Sequence, residues 1–308
     1  MENSRLAPII LFAFNRPQVF QRLIESLKDN PEFKDSEIFI FIDGPRANKP
    51  GEAEKVEEVR KIALSGLADK EKSPSHDHIH LLSSDKNRGL APSIIKGVSS
   101  VICQFGKAII FEDDLYLAPN CLHFMNEGLD KYENDKSVFS ICGYTNKVKV
   151  PKDYSFDTYM ASRSSSWGWA TWKDRWEKVD WELKDWNSVR RNSAAFNKWG
   201  GSDCFHMLNK WHNGVISSWA IRFCYAEFVS HAWSVFPVKS LIKNDGFDGT
   251  GTNMKRYSRF KFEFDERNMA KFRWCPSDLF CTTIQKEALS YSSYVIRIWS
   301  KLMYIIKG

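Results

Sequence analysis

The sequence predicts an α/β fold with a mostly parallel sheet flanked by helices, and three observations support this. Short apolar runs alternate with segments whose apolar residues have helical spacing throughout residues 1–146. Each apolar run has the length of a buried strand. Consecutive runs are separated by a helical segment, which is the arrangement of βαβ units and favours parallel pairing.

Five strands and four helices are expected in this half of the chain. The expected strands are residues 8–14, 37–42, 78–83, 107–111 and 137–142. The expected helices are residues 17–30, 52–70, 91–103 and 117–132. The first helix, for example, begins at Pro17 and places Phe20, Leu23 and Leu27 on one face. An open sheet of this kind binds its ligand beyond the carboxyl ends of its strands.

The second half of the chain has a different sequence pattern. After residue 147 we expect an irregular lobe rich in tryptophan, with short strands at residues 233–236 and 240–243. No linker separates it from the first half, so residues 1–260 are expected to form one domain with halves at 1–146 and 147–260.

Residues 261–308 are expected to form a C-terminal extension that ends in a basic amphipathic helix. Val295, Ile298 and Trp299 fall on one face of that helix, whereas Arg297 and Lys301 lie off it. A helix of this kind can lie on an anionic membrane surface. It can equally close over the core of its own domain, and the sequence leaves both possibilities open.

Composition places the chain among ordinary globular proteins. Of its 308 residues 43% are hydrophobic and 27% are charged, which excludes a disordered chain. The net charge of +6 suits an anionic partner, but the basic residues are dispersed, so a nucleic-acid partner is not expected. The seven cysteines form no CxxC pair, and we identify neither a signal peptide nor a membrane-spanning run. We therefore expect a cytoplasmic protein with reduced thiols.

Three acidic residues follow the fourth strand and are the most informative feature of the sequence. Glu112, Asp113 and Asp114 come directly after a buried apolar run, at the carboxyl end of a strand. Adjacent carboxylates repel one another unless a cation or solvent relieves them. Mg²⁺ and Mn²⁺ are held by one or two carboxylates together with phosphate oxygens and water. A metal–diphosphate site is therefore predicted here, with a solvated turn as the alternative.

Other strand ends are expected to meet the same edge of the sheet. Phe14, Asn15 and Arg16 follow the first strand, and their amide and guanidinium groups can bind phosphate or a base edge. Asp43 follows the second strand, where it either accepts a nucleoside hydrogen bond or makes a turn. Arg88 precedes a helix N-terminus, which suits anions. The absence of GxGxxG and GxxxxGK[ST] argues against a dinucleotide-dependent oxidoreductase and excludes a P-loop.

Four ordered motifs in this half resemble those of GT-A glycosyltransferases. They are Asn-Arg-Pro at 15–17, Ile-Asp-Gly at 42–44, Asn-Arg-Gly-Leu at 87–90 and Phe-Glu-Asp-Asp at 111–114. Within that fold the chain is similar to N-acetylglucosaminyltransferase I and related bacterial sugar transferases. The resemblance covers about residues 7–255.

The resemblance implies a site for a nucleotide diphosphate sugar, with UDP as the expected nucleotide. Asp114 would bind Mn²⁺ (or Mg²⁺), which holds the diphosphate, while Glu112 and Asp113 would lie near the sugar and the ribose. The family's Gly-Trp segment corresponds here to three residues expected to contact the donor: Trp167, Gly168 and Trp169. The implied activity is that of a hexosyl- or N-acetylhexosaminyltransferase.

The catalytic base is the main departure from the family pattern. In the eukaryotic relative an acid follows a tryptophan, but here residues 219–221 read Trp-Ala-Ile. Asp245 and Asp248 are the nearest replacements, and Asp203 is a third. Arg222, in the same segment as the missing acid, is a further candidate catalytic residue.

The resemblance also implies an acceptor for the sugar, although two other functions of the protein remain open. The expected acceptor is a hydroxyl of a glycan or lipid-linked glycan, as in bacterial surface polysaccharide or lipopolysaccharide synthesis. The C-terminal helix would then hold the enzyme at the inner membrane face. A nucleotidyltransferase and a catalytically inactive nucleotide-sugar or glycan-binding module are the alternatives.

Overall fold

The computed structural model describes residues 6–67, 78–246 and 260–307. The strands are β1 (Ile9–Ala13), β2 (Ile38–Ile42), β3 (Ile79–Ser83), β4 (Lys107–Glu112), β5 (Leu115–Leu117), β6 (Val138–Cys142), β7 (Thr158–Ala161), β8 (Trp169–Trp172), β9 (Trp233–Pro237) and β10 (Ile242–Asn244). The helices are α1 (Pro17–Lys28), α2 (Glu52–Leu67), α3 (Leu90–Phe105), α4 (Cys121–Lys131), α5 (Lys173–Trp176), α6 (Trp186–Arg191), α7 (Ser193–Gly200), α8 (Cys204–His212), α9 (Ala220–Val229), α10 (Thr282–Ser290) and α11 (Tyr294–Lys307). A 3₁₀ turn spans Pro31–Asp35.

One mixed sheet organises the described residues. Its strand order is β3-β2-β1-β4-β8-β6-β9-β7. The first four strands are parallel, and β8 runs antiparallel between β4 and β6. Strand β9 pairs parallel with β6, while β7 pairs antiparallel with β9 at the edge. The expectation of a mostly parallel sheet flanked by helices is confirmed.

Both faces of the central strands are covered, which leaves the strand ends as the place for polar groups. In β1, Ile9 and Leu11 pack into the cluster that contains apolar residues of α1, α2 and α4. Ile10 and Phe12 point to the other face and pack with apolar residues of α3 and α9. This alternation follows from the two-residue period of a strand.

The expected elements of the first half are present, with one exception at residues 115–117. These residues form strand β5, and α4 begins only at Cys121. Strand β5 pairs antiparallel with β10, so that Asn244 lies opposite Leu115. This pairing brings residues 244–246 beside the acidic residues that follow β4.

The second half contains more regular structure than expected, and the expected strands at residues 233–236 and 240–243 are present as β9 and β10. Strands β7, β8 and β9 join the same sheet as β1–β4, and helices α5–α9 lie between them along the chain. These helices bury a core of their own, in which Phe196 and Leu208 are fully buried. Apolar spacing over segments of only four to ten residues was too short to identify helices from the sequence. The boundaries at residues 146 and 260 stay predictions.

A buried carboxyl group holds the serine-rich loop that precedes β8. Glu227 of α9 is fully buried, accepts a hydrogen bond from the Ser164 backbone N–H at 3.0 Å and one from the Ser234 hydroxyl at 2.8 Å. Burial raises the pKa of Glu227 from 4.5 to about 8, and these hydrogen bonds only partly oppose that effect. Glu227 is therefore mostly neutral near pH 7.

This burial predicts a specific pH dependence of stability. Between pH 4.5 and 8 the native chain holds a proton on Glu227 that the unfolded chain has lost, so stability falls as pH rises. We expect Glu227→Gln to remove about 1–3 kcal/mol of this decline between pH 5.5 and 8. Urea unfolding at each pH measures it, with the exposed Glu182→Gln as control. A Gln variant whose stability still falls as in wild type would contradict the assignment.

Candidate active site

The acidic residues after β4 lie at the carboxyl edge of the sheet and are joined to the end of β1. Arg16 forms an ion pair with Asp113 and a second one, at 3.1 Å, with Asp114. The Phe14 backbone N–H approaches Asp113 Oδ2 at 3.4 Å. Both aspartates are buried, so the guanidinium of Arg16 is the cation that relieves their repulsion.

The pKa values of the acidic residues and of Arg16 reflect the burial of several charges close together. The pKa of Glu112 is raised to about 8, chiefly by burial and also by the charges of Asp114 and Asp113, against the opposing charge of Arg16. Burial also raises the pKa of Asp113, against the opposing charge of Arg16. For Arg16, burial lowers the pKa, but the charges of Asp113 and Asp114 more than offset this, so the net pKa lies above its ordinary value. Arg16 therefore stays protonated.

Residues 244–246 form one wall of the acidic cluster. The Asp245 backbone N–H donates to the Asp114 carbonyl at 2.8 Å, and the Gly246 N–H donates to Asn244 Oδ1 at 2.7 Å. A Cβ atom at position 246 would lie far inside contact distance of Asp114 Oδ2. Only glycine at this position leaves the Asp114 carboxylate where it is.

The ion pair between Arg46 and Glu52 holds the residues that follow β1. Asn15 donates to Glu52 Oε1 at 2.9 Å, and Arg46 binds the same carboxylate through its backbone N–H at 2.7 Å and its guanidinium at 2.5 Å. The hydrogen bond from Arg46 lowers the pKa of Glu52 to about 2. The Arg46 guanidinium also lies 5.5 Å from the centre of the Phe14 ring. Phe14 and Asn15 are thus at the expected edge, with Asn15 held by Glu52.

Asp43 joins two strand-end loops. Its carboxylate accepts hydrogen bonds from the backbone N–H groups of Arg88 (2.8 Å) and Gly89 (2.9 Å), as well as from that of Gly44. In this structure Asp43 therefore makes the backbone contacts of a turn, which was one of its two expected roles. The Arg88 side chain is exposed and extends into a cleft along α3.

The tryptophan segment divides between surface and core. Trp167 is half-buried and packs edge-to-face on Tyr144, with ring centres 4.5 Å apart, and on Phe260 at 5.4 Å. Trp169 is only 1% exposed and stacks on Trp219 at 4.8 Å inside the core. This buried position gives no support to the expected substrate contact of Trp169, because its side chain on β8 points toward α9.

Gly168 is required by the backbone and by the packing around it. Its φ of +66° is strained for any residue with a side chain. A Cβ atom there would also lie 3.1 Å from the Phe111 ring and would clash with Ile242. Gly168 therefore allows β10 to pack closely, and its expected role as a donor contact stays a prediction.

We expect Gly168→Ala to lower the free energy of unfolding by about 3 kcal/mol, because left-handed backbone strain and overpacking add. Gly106→Ala is the matched control: Gly106 has φ +78° but no atom within 4 Å of a Cβ, so only the strain of about 1–2 kcal/mol applies. Urea unfolding followed by fluorescence measures both. Equal losses in the two variants would contradict the packing argument.

A cavity of about 250 Å³ opens beside Trp167. Aromatic rings of Tyr144 and Phe260 line it together with polar groups of Asn146 and Ser164. Aromatic faces with a few hydrogen-bonding groups are typical of a site for an uncharged polar ligand such as a sugar.

The structure separates the candidate catalytic residues. Asp245 lies next to Asp114, with its carboxylate 3.5 Å from Arg22 Nε. Asp203 is buried in an ion pair with Arg163 at 2.6 Å and is therefore engaged in packing. Arg222 contacts neither aspartate of the cluster.

Arg222 makes its contacts away from the acidic cluster. Arg222 donates to the Ser218 and Trp181 carbonyls and lines the cleft along α3, so its expected catalytic role receives no support from its contacts. Asp248 lies outside the described residues.

Sequence reasoning missed Glu52, Asn244 and Gly246. Asn244 and Gly246 flank Asp245 after a short strand, so the strand-end position was an available signal. Nothing in the sequence pointed to Glu52, which begins helix α2 and lies 37 positions after Asn15.

Several solved structures are similar to this chain at low identity. The S. aureus TarS 1–349 structure is 12% identical, with 76% of this chain and 59% of that chain covered and a TM-score of 0.39. LgtC in complex with donor and acceptor sugar analogues is 9% identical, with 71% and 70% covered and a TM-score of 0.33. HddC from Yersinia pseudotuberculosis is 10% identical, with 55% and 77% covered and a TM-score of 0.30. The chain thus spans less than two thirds of the TarS chain. At these TM-scores the likenesses carry no argument about substrate.

The family match is more extensive. No curated protein sequence matches the chain. The family model described as Glycosyl transferase family 2 matches residues 9–211, about two thirds of the chain, from β1 to the end of α8. That span contains the four parallel strands and the acidic residues after β4. The narrower comparison with N-acetylglucosaminyltransferase I stays a prediction. The chain therefore belongs to glycosyl transferase family 2 and is a glycosyltransferase of the GT-A fold.

Proposed function

We propose that this glycosyltransferase moves a sugar from a nucleotide diphosphate sugar, with UDP as the nucleotide, to a hydroxyl group of a glycan or lipid-linked acceptor. The observation that carries the proposal is the Asp113–Asp114 pair, held by Arg16 at the carboxyl edge of the parallel strands. A nucleotide diphosphate is the ligand that this edge accommodates, because polar and charged groups from β1 and β4 converge there.

The donor set at this edge fits Mn²⁺ or Mg²⁺. Among the residues that the structure describes, no group of three or more His, Cys, Asp or Glu could hold a metal by itself. These hard cations need only one or two carboxylates when a diphosphate supplies further oxygens. Asp114 is the proposed ligand, with Asp113 beside it. When bound, the cation would supply Lewis-acid stabilisation of the leaving diphosphate.

The chain's own residues would prepare the site in four ways. Arg16 pairs with both aspartates and holds them close together, since its charge offsets part of their mutual repulsion. Gly246 fixes the position of the Asp114 carboxylate. Glu112 completes the acidic group near the sugar, and Asp245 is the proposed general base among the described residues. Asp248 is the alternative base.

The cavity beside Trp167 is the proposed site for the sugars. Trp167, Tyr144 and Phe260 offer aromatic faces, while Asn146 and Ser164 offer hydrogen-bonding groups. A glycan of bacterial surface polysaccharide or lipopolysaccharide is the acceptor class we propose.

Release of nucleoside diphosphate tests the proposal and its alternatives. UDP-, GDP- and dTDP-sugars are each incubated with the protein and Mn²⁺ or EDTA, with and without a glycan acceptor. We expect release from one donor that requires the metal and increases with acceptor. Metal-dependent binding of a nucleotide without release under any condition would favour an inactive binding module. Formation of a nucleotide sugar from a nucleoside triphosphate and a sugar phosphate would favour a nucleotidyltransferase.

We also propose that α11 contacts an anionic membrane surface. Helix α11 buries Ser300 but leaves Tyr294 68%, Val295 75% and Trp299 54% exposed. Arg297 lies among them, which is the composition of an interfacial amphipathic helix. No helix in residues 6–67, 78–246 and 260–307 is long and apolar enough to cross a bilayer.

Binding to vesicles tests this contact. We expect wild type to sediment with phosphatidylglycerol vesicles but weakly with phosphatidylcholine, and Val295→Asp to reduce the partition about tenfold, because an apolar anchor is lost and a like charge is added. Leu64→Asp, at an exposed apolar position of α2, is the control. Equal partition of all three proteins would contradict the proposal.

A further inference from the structure

A second cleft lies outside the acidic cluster, between α3 and the segment that leads into α9. Its volume is about 580 Å³, and its charged lining groups are Arg88, Lys96 and Arg222. Trp211 and Ser217 also line it. We call it the α3–α9 cleft.

Arg222 is a buried cation in this cleft, and it is only 8% exposed. Its Nε donates to the Ser218 carbonyl at 3.0 Å and its Nη1 to the Trp181 carbonyl at 2.5 Å. The guanidinium lies 4.6 Å from the centre of the Trp211 ring and 5.4 Å from that of Trp181. These carbonyls and rings orient the guanidinium, but none of them carries a compensating negative charge.

Other arginines with little exposure are neutralised in a way that Arg222 is not. The buried Arg175 pairs with Asp174, and the partly buried Arg163 pairs with Asp203. Within the described part of the chain, Arg222 has no carboxylate partner and its Nη2 has no hydrogen-bond partner. Burial is accordingly the cause that lowers the pKa of Arg222. A buried charge without a counter-ion is costly, and an anion in the cleft would remove that cost.

The rest of the cleft adds positive potential. Arg88 and Lys96 are exposed, and neither has a carboxylate partner among the described residues. The N-terminus of helix α3 adds little to this potential, because the Asp43 carboxylate already binds the backbone N–H groups of Arg88 and Gly89 there. Three cations therefore line one concave surface that also carries the indole of Trp211.

We propose that the α3–α9 cleft binds the phosphate group of a phosphorylated acceptor, an inference that rests on the proposed function. A phosphate monoester carries nearly two negative charges and three acceptor oxygens, which matches several cations better than a single carboxylate does. The backbone N–H of Arg88 is bound to Asp43 at the end of β2, so the cleft opens beside the edge where the donor is proposed to bind. A phosphate held there would anchor the acceptor next to that edge.

Calorimetric titration with glucose 6-phosphate, without donor or metal, tests the cleft directly. We expect saturable binding that weakens with salt, and no binding of glucose. Arg222→Gln should weaken binding about tenfold or more, and Arg222→Lys should restore part of it. Glucuronate binding as tight as glucose 6-phosphate would overturn the assignment to phosphate. Unchanged binding to the Gln variant would overturn the site itself.

Two further variants keep the test independent of folding. Lys96→Glu changes an exposed residue, so it should fold normally and still weaken phosphate binding several-fold. The exposed Arg190→Gln is the matched control and should bind like wild type. Equal binding by wild type and Lys96→Glu would contradict the proposal even if Arg222→Gln failed to fold.

Competition arms separate the acceptor from the donor and from lipid. UDP with Mn²⁺ should leave glucose 6-phosphate binding unchanged, whereas direct competition would assign the cleft to the donor and overturn the proposal. A water-soluble short-chain phosphatidic acid, which is also a phosphate monoester, serves as the lipid phosphate: its competition would indicate a lipid-linked phosphate as the source, and its failure a phosphorylated sugar. Asp114→Asn should retain phosphate binding, so loss of donor turnover and loss of this site are distinguishable.

Discussion

Asp114→Asn is expected to lower kcat/KM for sugar transfer about a thousandfold, since it removes charge from the proposed metal ligand. The substitution keeps the size of the side chain but leaves Arg16 paired with Asp113 alone. Release of nucleoside diphosphate from the preferred donor measures the effect.

The matched control for this substitution is Asp153→Asn, which removes the same charge at an exposed position. It should retain activity within about twofold, because surface substitutions are close to neutral. Thermal unfolding of both variants shows that loss of activity is not loss of fold. Full activity of Asp114→Asn would remove this residue from the site.

Gly246→Ala is expected to reduce kcat/KM about a hundredfold. A methyl group at this position would overlap Asp114 Oδ2 and lie 3.0 Å from Asn244 Oδ1, so the carboxylate must move. A displacement of about 1 Å at a reacting centre is enough for a loss of this size. The apparent affinity for Mn²⁺ should fall together with the rate.

Gly66→Ala provides the comparison for a glycine away from the site. Gly66 lies in helix α2, and a Cβ atom there would be in ordinary van der Waals contact, at 3.4 Å, with Ile24 of α1. Activity should therefore be unchanged, and stability should be slightly higher because alanine favours a helix more than glycine does. If Gly246→Ala were as active as Gly66→Ala, the wall formed by residues 244–246 would have no part in placing Asp114.

The central sheet and the acidic cluster could be predicted because their signals are local. Each of the first four parallel strands is a short apolar run, and β4 ends at Glu112 and is followed directly by Asp113 and Asp114. The rule that ligands bind at the carboxyl ends of parallel strands then placed Arg16 near these acids, where the structure has it.

The remaining contacts depend on long-range packing that spacing does not reveal. Gly246 reaches Asp114 only because β10 pairs with β5, more than a hundred residues away in sequence. Trp167 and Trp169 look equivalent in the sequence, but the φ of +66° at Gly168 turns the chain between them and sends Trp169 into the core. Among the described residues no acid lies beside Arg222, and this too depends on separate segments that the fold brings together.

Calorimetric binding of UDP in the presence of Mn²⁺ or EDTA tests the central claim most directly, because it requires neither the acceptor nor turnover. For wild type we predict binding that depends on the metal, and for Asp114→Asn a loss of that metal dependence. Tight binding that is equal with Mn²⁺ and EDTA would contradict the metal role of Asp114. If UDP, GDP and dTDP all failed to bind under any condition, the proposed nucleotide-sugar site at this edge of the sheet would be wrong.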